Sequence, residues 1–361
     1  MRGDLVQVQL DVPLAPRTTF GVGGPAKIWC EPCSTAAAQA VRLGRLLDKR
    51  IVVLGLGSNV LISDHGLDAM VVSMQPVLSR ALINRFTDVT GEPERVVEIP
   101  AGAPWDLFVE SCVANNLQGV ECLSGIPGTV GAAPVQNIGA YGQQVSETIE
   151  WVRAIDLAHA REVILPRNAC KFTYRGSTFT GTDRDRYLIT AVAFRLRYGA
   201  DPCVTHPQVA DAVRTRFQNL LGVRTAVLAI RKGKGMLDGQ FRSAGSFFKN
   251  PEMRLPEFER RFAADHITSG ANRWWWPVPD GIRISAGWLI QTSGFPQGYV
   301  RGPVGLSPHH TLCIINRGGA TTADVVSLAR DIQKRVMDSF GIVLEPEVRL
   351  LGFDQNPLLT A

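Results

Sequence analysis

At 361 residues, with 45% hydrophobic and 20% charged side chains, the chain has the make-up of a folded globular protein. It is too long for one core and too apolar for disorder. A net charge of +5 suits small anionic ligands and does not require a nucleic acid, because no dense Lys/Arg block with interleaved aromatics occurs.

No apolar stretch follows the first residues and no run approaches the roughly 18 apolar residues of a membrane span. Neither a secretory leader nor membrane insertion is expected, and a cytoplasmic location is. Seven cysteines, an odd number scattered along the chain, fit reduced thiols better than a disulfide framework.

In chain order, IWCEPCS reads as a strand running into a helix cap at Ser34 or Thr35. Its Cys30 and Cys33 have CxxC spacing, but no second ligand pair follows, so no metal site is expected. Residues 34–48 carry apolar side chains at helical spacing, IVVL at 51–54 is a short buried strand, GLGSN at 55–59 a turn and MVVSM at 70–74 a further strand. Residues 95–100 read as a strand, and 104–116 as a helix with Pro104 in its first turn. Two alternating strands follow at 149–156 and 187–196. Charged and aromatic residues crowd positions 251–276. SAGWLIQ (285–291) opens a helix, and a long helix follows with Thr322 as its cap and Gly341 as its stop. IVLEPEVRLL closes the chain as a strand. His309 and His310 are adjacent, so they point to different sides of an extended chain and are ill placed to share a metal.

Two glycine-rich stretches need an explanation. Gly55-Leu56-Gly57-Ser58-Asn59 lacks the third glycine and the helix of a dinucleotide fingerprint, since Val60 continues as a strand. The other, LSGIPGTVGAAPVQNIGAYG (123–142), has five glycines and no charged side chain. Small residues let backbone lie against a flat ligand, and exposed N–H groups suit a diphosphate. Together the loops are suited to the two ends of a large dinucleotide.

At this point the chain resembles the UDP-N-acetylenolpyruvoylglucosamine reductases. Seven ordered blocks carry the likeness: TTFGVGGPA, VLGLGSNVLISD, the glycine-rich segment, YRGSTF, SAGSFFKNP, SAGWLIQ and LEPEVRLLG. The resemblance implies an α+β fold: a two-subdomain FAD-binding fold of the vanillyl-alcohol-oxidase/PCMH type, plus a C-terminal α+β substrate-binding domain. Residues 1–74 would form the first subdomain, 75–233 the second, joined by 341–361, and 234–340 the substrate-binding domain. It also implies noncovalent FAD, NADPH as hydride donor, UDP-N-acetylglucosamine enolpyruvate as substrate, a role in peptidoglycan synthesis and a monomeric protein.

The implied chemistry sends hydride from NADPH to FAD, and then from flavin to the terminal carbon of an enolpyruvyl ether. Charge then builds beside the carboxylate, so a fixed cation and a proton donor are needed. By family match these are Arg175 and Ser246, with Glu347 as the carboxyl group beside the substrate carboxylate. Alternation along LEPEVRLL puts Glu345, Glu347 and Arg349 on one face; the match, not the periodicity, selects Glu347. Flavin binding falls to Gly55, Gly57, Ser58 and Asn59, to Ser124, Gly125, Ile126, Pro127, Gly128, Gly131, Ala132, Gln136, Asn137, Gly139, Ala140, Tyr141 and Gly142, and to Arg349. Substrate binding falls to Tyr174, Lys234, Asn250, Trp276, Arg283, His310 and His206. Trp276 and His206 stand where the family has tyrosines. Two other readings stay open: another noncovalent-FAD oxidoreductase of this fold, or a sugar-nucleotide binder without catalysis.

Overall fold

The computed structural model describes residues 6–78, 87–88, 93–214, 219–237, 239, 241–262 and 274–358. The chain forms two compact units that interleave in sequence. Unit 1 is drawn from residues 1–12, 26–57 and 67–237; unit 2 takes 13–25, 58–66 and 238–361.

Among the described residues unit 1 holds two large sheets and a two-stranded antiparallel pair, Gly139–Ala140 with Gln143–Gln144. In the first, strands Val8–Pro13, Pro25–Cys30, Leu67–Val72 and Ile51–Val53 lie in that order, with Leu67–Val72 parallel to both of its neighbours. Its Ala69-Met70-Val71-Val72 run is buried throughout, as expected of a parallel strand covered on both faces. Helix Ala37–Leu46 buries Ala37, Ala40, Val41 and Gly44, one face at helical spacing. The helix predicted over 34–48 begins as a 3-10 turn at Ser34–Ala36, and no side chain caps it, so neither Ser34 nor Thr35 is the cap.

The second sheet is antiparallel, in the order Arg161–Pro166, Ile149–Asp156, Tyr187–Tyr198, Glu94–Pro100 and Thr87–Asp88, with Leu117–Gln118 also pairing Tyr187–Tyr198. Helix Trp105–Ala114 packs Trp105 and Phe108 against Phe194, with ring centroids 4.6–6.0 Å apart. Pro104 precedes this helix with φ −59° and ψ 132°, so it is the residue before the first turn rather than part of it. Helix Leu220–Gly233, which the sequence reading did not pick out, starts at Asn219, whose side chain accepts the Gly222 N–H at 2.8 Å.

Unit 2 has one core: Phe20, Val22 and Leu61 from the early segments pack with Phe247, Phe248, Ile284, Leu289, Leu328 and Ile332. Around it lie two small antiparallel sheets, Glu252–Met253/Gly281–Ile284/Trp275–Val278 and Val300–Arg301/Val304–Leu306/Ile314–Asn316, and a parallel pair, Val60–Ile62 with Arg349–Leu351. Of the aromatic and charged stretch 251–276, residues 263–273 lie outside the described residues. Helix Ala286–Thr292 is capped by Ser285, whose Oγ accepts the Trp288 N–H.

The long helix is Thr322–Phe340, and Gly341 ends it at φ 66°. Its cap is Thr321, not Thr322, in a reciprocal box with Asp324. Thr322 instead donates its hydroxyl to Ile62 O at 2.6 Å. The closing strand is shorter than its alternation predicts, with only Arg349–Leu351 forming a ladder. Pro346 makes an isolated bridge to Phe248; proline has no N–H with which to continue a ladder.

Candidate active site

The glycine-rich segment of unit 1 is bolted down by its backbone. Trp105 N donates to Gly128 O at 3.0 Å, Val130 N to Ala103 O at 2.8 Å and Gly131 N to Ala101 O at 2.9 Å. Gly131 is required by close approach, because an added Cβ would lie 2.5 Å from the Ala101 Cβ. The two glycine loops adjoin: a Cβ on Gly55 would meet Thr129 Oγ1 at 3.3 Å and Ala132 Cβ at 3.6 Å.

Asn137 is 2% exposed, with φ 44°. Its amide donates to Gln144 Oε1 at 3.1 Å and Thr173 O at 3.0 Å, and its carbonyl accepts Ser146 N–H at 3.1 Å. Its side chain thus shapes the loop and ties it to the turn bearing Tyr174 and Arg175. That turn is closed on both sides, Thr173 N to Gly176 O at 3.0 Å and Gly176 N to Thr173 O at 3.3 Å. Arg175 stands at its tip with φ 52°, a left-handed conformation costing an arginine on the order of 1 kcal/mol. Gly139 lies beside the guanidinium: a Cβ there would make an ordinary contact with Arg175 Nη1 at 3.5 Å, and would crowd Gln144 Cγ at 3.0 Å.

A basic cluster borders this loop. Arg224 and Arg231 share one face of Leu220–Gly233, each 9% exposed, and Lys234 follows the helix end. Cations at a helix C-terminus are favoured by the dipole. Arg224 forks onto both Asp106 carboxylate oxygens, at 2.6 and 2.8 Å, and Gly125 N donates to Asp106 Oδ1 at 2.6 Å. Burial pushes the Asp106 carboxyl up, but the Arg224 and Gly125 hydrogen bonds outweigh it, and the group ends below its ordinary value.

Lys234 Nζ lies 5.3 Å from the centroid of the Tyr141 ring and bonds Gln208 Oε1 at 3.2 Å. The His206 ring meets Tyr141 edge-on, centroids 5.3 Å apart. Burial and then the neighbouring Arg231 hold Lys234 below its usual range; burial and Lys234 do the same to His206. Asp106, Arg224 and Arg231 are site residues the sequence reading missed. The available signal was two arginines seven residues apart on a helix face otherwise built of Leu220, Val223 and Val227.

In unit 2 the segments bearing Ser246 and Glu347 run antiparallel beside each other. Glu347 N donates to Phe247 O at 2.8 Å and Lys249 N to Glu345 O at 2.9 Å, flanking the Phe248–Pro346 bridge. Half-buried Ser246 thus sits one residue from Glu347's backbone partner, held by Phe247 and Phe248, both 1% exposed. Asn59 reaches the same strand: its Nδ2 donates to Glu347 O at 3.3 Å, and its carbonyl accepts Arg349 N–H at 3.1 Å. Asn250 Oδ1 accepts the Ala286 N–H at 2.9 Å, so half of its amide is used in starting a helix.

Trp276 and Arg283 are direct cross-strand partners, and Arg283 faces Glu252 on the next strand. The Arg283 guanidinium is ion-paired to Glu252. His310 is half-buried just before Thr311, whose hydroxyl donates to Gly287 O at 2.6 Å.

The family model "UDP-N-acetylenolpyruvoylglucosamine reductase, C-terminal domain" matches residues 238–351, and an FAD-binding domain model matches residues 31–164. A reductase of that name from Thermobifida fusca is 41% identical over 360 residues, 95% of this chain and 97% of the relative. The chain belongs to the UDP-N-acetylenolpyruvoylglucosamine reductase family. One from Streptomyces avermitilis is 37% identical, over 97% of this chain and 96% of its own length. In structure, the UDP-N-acetylenolpyruvylglucosamine reductase from Thermus caldophilus superposes with a TM-score of 0.63, covering 96% of this chain and 99% of that one. At 24% identity that likeness speaks for the fold alone. As a member of this reductase family with an FAD-binding domain, the chain is a flavin-dependent oxidoreductase.

The residues present fit FAD. The uncharged loop suits a neutral ring system, and the cluster beside it carries more cations than carboxylates. Within it Arg231 Nε is buried with no hydrogen-bond partner among the described residues.

Proposed function

We propose that the chain reduces the enolpyruvyl ether of UDP-N-acetylglucosamine enolpyruvate to the lactyl ether of UDP-N-acetylmuramate, with NADPH as hydride donor, in peptidoglycan synthesis. On this reading it acts as a cytoplasmic monomer in the pathway that serves cell shape and division. Residues 1–74 and 75–233 are the flavin-binding subdomains, and 234–340 bind substrate. Among the described residues no helix is long and apolar enough to cross a membrane.

FAD, when bound, supplies the hydride chemistry. The glycine loops would hold it, with Asn137 setting their shape. Arg175 engages the substrate carboxylate through two N–H groups and stabilises charge that develops next to it. Ser246 Oγ–H gives its proton to the carbon beside that carboxylate. A hydroxyl is a weak acid, but a nascent carbanion is a strong enough base. Glu347, held next to Ser246 by the paired segments, assists from the carboxylate side. Lys234, His206, Asn250, Trp276, Arg283 and His310 contact the sugar nucleotide.

The observation that carries this reading is the pairing of residues 247–249 with 345–347, which brings the neighbouring Ser246 beside Glu347's segment and supports a proton donor and a carboxyl group working on one substrate. The test is to photoreduce the flavoprotein without oxygen and mix it rapidly with UDP-N-acetylglucosamine enolpyruvate. Prompt return of the oxidised flavin spectrum is expected. A spectrum that stays reduced over many seconds overturns the assignment.

A further inference from the structure

Arg175 stands in a backbone conformation that an arginine does not choose for itself. Its φ of 52° is left-handed, and a residue so strained keeps its place only where its surroundings fix it. The reciprocal pairing of Thr173 with Gly176 closes the turn but does not decide where the turn points. Two side chains do that, one on each limb. On the first limb, Asn137 Nδ2 donates to Thr173 O at 3.0 Å. On the second, Ser177 Oγ donates to Val135 O at 2.7 Å. Both ties end on the same short stretch of the glycine-rich loop, residues 135–137. The guanidinium returns to that loop as well, with Nη1 beside Gly139, and it lies 5.6 Å from the centroid of the Tyr174 ring.

Ser177 is 6% exposed, so water does not readily take over its bond. Its hydroxyl is used in both directions, since it also accepts the Phe179 N–H at 3.1 Å. Its backbone is anchored separately. Thr180 Oγ1 accepts the Ser177 N–H at 3.2 Å, and Ser177 O accepts the N–H groups of Thr180 and Gly181 at 3.1 and 3.0 Å. These bonds hold the chain after Ser177 without its hydroxyl. What the hydroxyl adds is the link across to the glycine-rich loop, 42 residues away in sequence.

We propose that Ser177 is a positioning residue of the reductase reaction. Its hydroxyl, with the Asn137 amide as second anchor, mounts the Arg175 turn on residues 135–137 and so sets where the guanidinium meets the substrate carboxylate. The proposal rests on the functional reading above, in which Arg175 stabilises charge beside that carboxylate, and adds what aims it. Ser177 acts through Arg175 alone. A cation displaced by about 1 Å from the developing charge forfeits on the order of 10²-fold in rate.

The test is a double-mutant cycle on the FAD-loaded protein, read in separate half-reactions. Ser177→Ala is expected to keep its FAD and its rate of flavin reduction by NADPH. Its anaerobic reoxidation by saturating UDP-N-acetylglucosamine enolpyruvate should slow by about 10- to 100-fold. In an Arg175→Ala background the same change should cost less than about two-fold, since nothing is left to aim. Amide hydrogen exchange gives a readout apart from turnover. The 173–179 amides should exchange faster in Ser177→Ala, and those of strand Tyr187–Tyr198 should not. If the alanine variant loses its flavin, Ser177→Cys, of similar size and with a weaker donor, takes its place in the cycle. Additive losses, equal losses in both half-reactions, unchanged reoxidation, or faster exchange throughout unit 1 overturn the proposal. Prompt wild-type reoxidation with an additive cycle removes the role of Ser177 alone. Wild-type flavin that the substrate cannot reoxidise removes the reaction, and this role with it.

Discussion

Ser246 and Asp106 show how differently two polar side chains can matter. Ser246 has its place through backbone pairing on either side, so removing its hydroxyl leaves the scaffold intact. Ser246→Ala is expected to preserve flavin reduction by NADPH and to slow reoxidation by substrate at least ~10²-fold, the ordinary worth of a general acid. Equal losses in both half-reactions would take the proton-donor role away from it. Asp106 is structural. It holds Gly125 and neutralises an arginine that is 11% exposed in its side chain, while its own side chain is 40% exposed. Discounted for that exposure, Asp106→Asn should cost about 1–2 kcal/mol. Its folded-state carboxyl lies below the ordinary 3.8, so its contribution is complete above that value and is lost as pH falls through the folded-state one. Urea melts at pH 7 and pH 3 check this: the gap between variant and wild type should narrow in acid. The residues of the site were readable only in motifs such as YRGSTF and SAGSFFKNP. Asp106 was not, because its partners lie 19 and 118 residues away and no local pattern announces them.

The elements that could be read were those with their own local logic. Thr322–Phe340 has apolar residues every third or fourth position, a cap and a glycine stop, and the strand predicted at 149–156 is found at Ile149–Asp156. The closing segment failed because its alternation is real but its partner is not continuous. Ile342, Leu344 and Val348 are buried as the period demands, yet Pro346 interrupts the ladder. The start of the long helix is doubly held: Asp64 accepts the N–H groups of Thr322 and Ala323 at 2.8 and 3.0 Å, and Thr321 accepts that of Asp324 at 3.2 Å. Thr321→Ala should lower stability by about 1 kcal/mol. Asp64→Ala, which strips two N–H groups of a charged acceptor and unties the helix from the Val60–Ile62 strand, should cost more, about 2–3 kcal/mol. Chemical denaturation of both variants tests that order, and a larger loss for Thr321→Ala would contradict it.

For the molecule as a whole, what could not be read was how the chain returns to itself. Residues 238–351 match one family model, as though that stretch were self-contained. Unit 2 nevertheless depends on residues 13–25 and 58–66. Phe20, Val22 and Leu61 complete its core, and Asn316 Nδ2 donates to Phe20 O at 3.1 Å. Hydrophobic periodicity describes an element's own faces and says nothing of such distant partners. A fragment of residues 238–361 is therefore expected to show no cooperative thermal transition, and a sharp calorimetric peak from it would refute this account of the core.

The parallel pairing of Val60–Ile62 with Arg349–Leu351 also bears on how the protein is made. The second strand leaves the ribosome roughly 290 residues after the first, about 15 to 60 s later at ordinary rates of translation. Throughout that interval the nascent polypeptide carries an unmatched aliphatic edge, of the kind that chaperones shield and that otherwise seeds inclusion bodies. Slower growth at low temperature, or a holdase supplied in excess, should therefore raise the soluble yield of this enzyme more than any change near its flavin would.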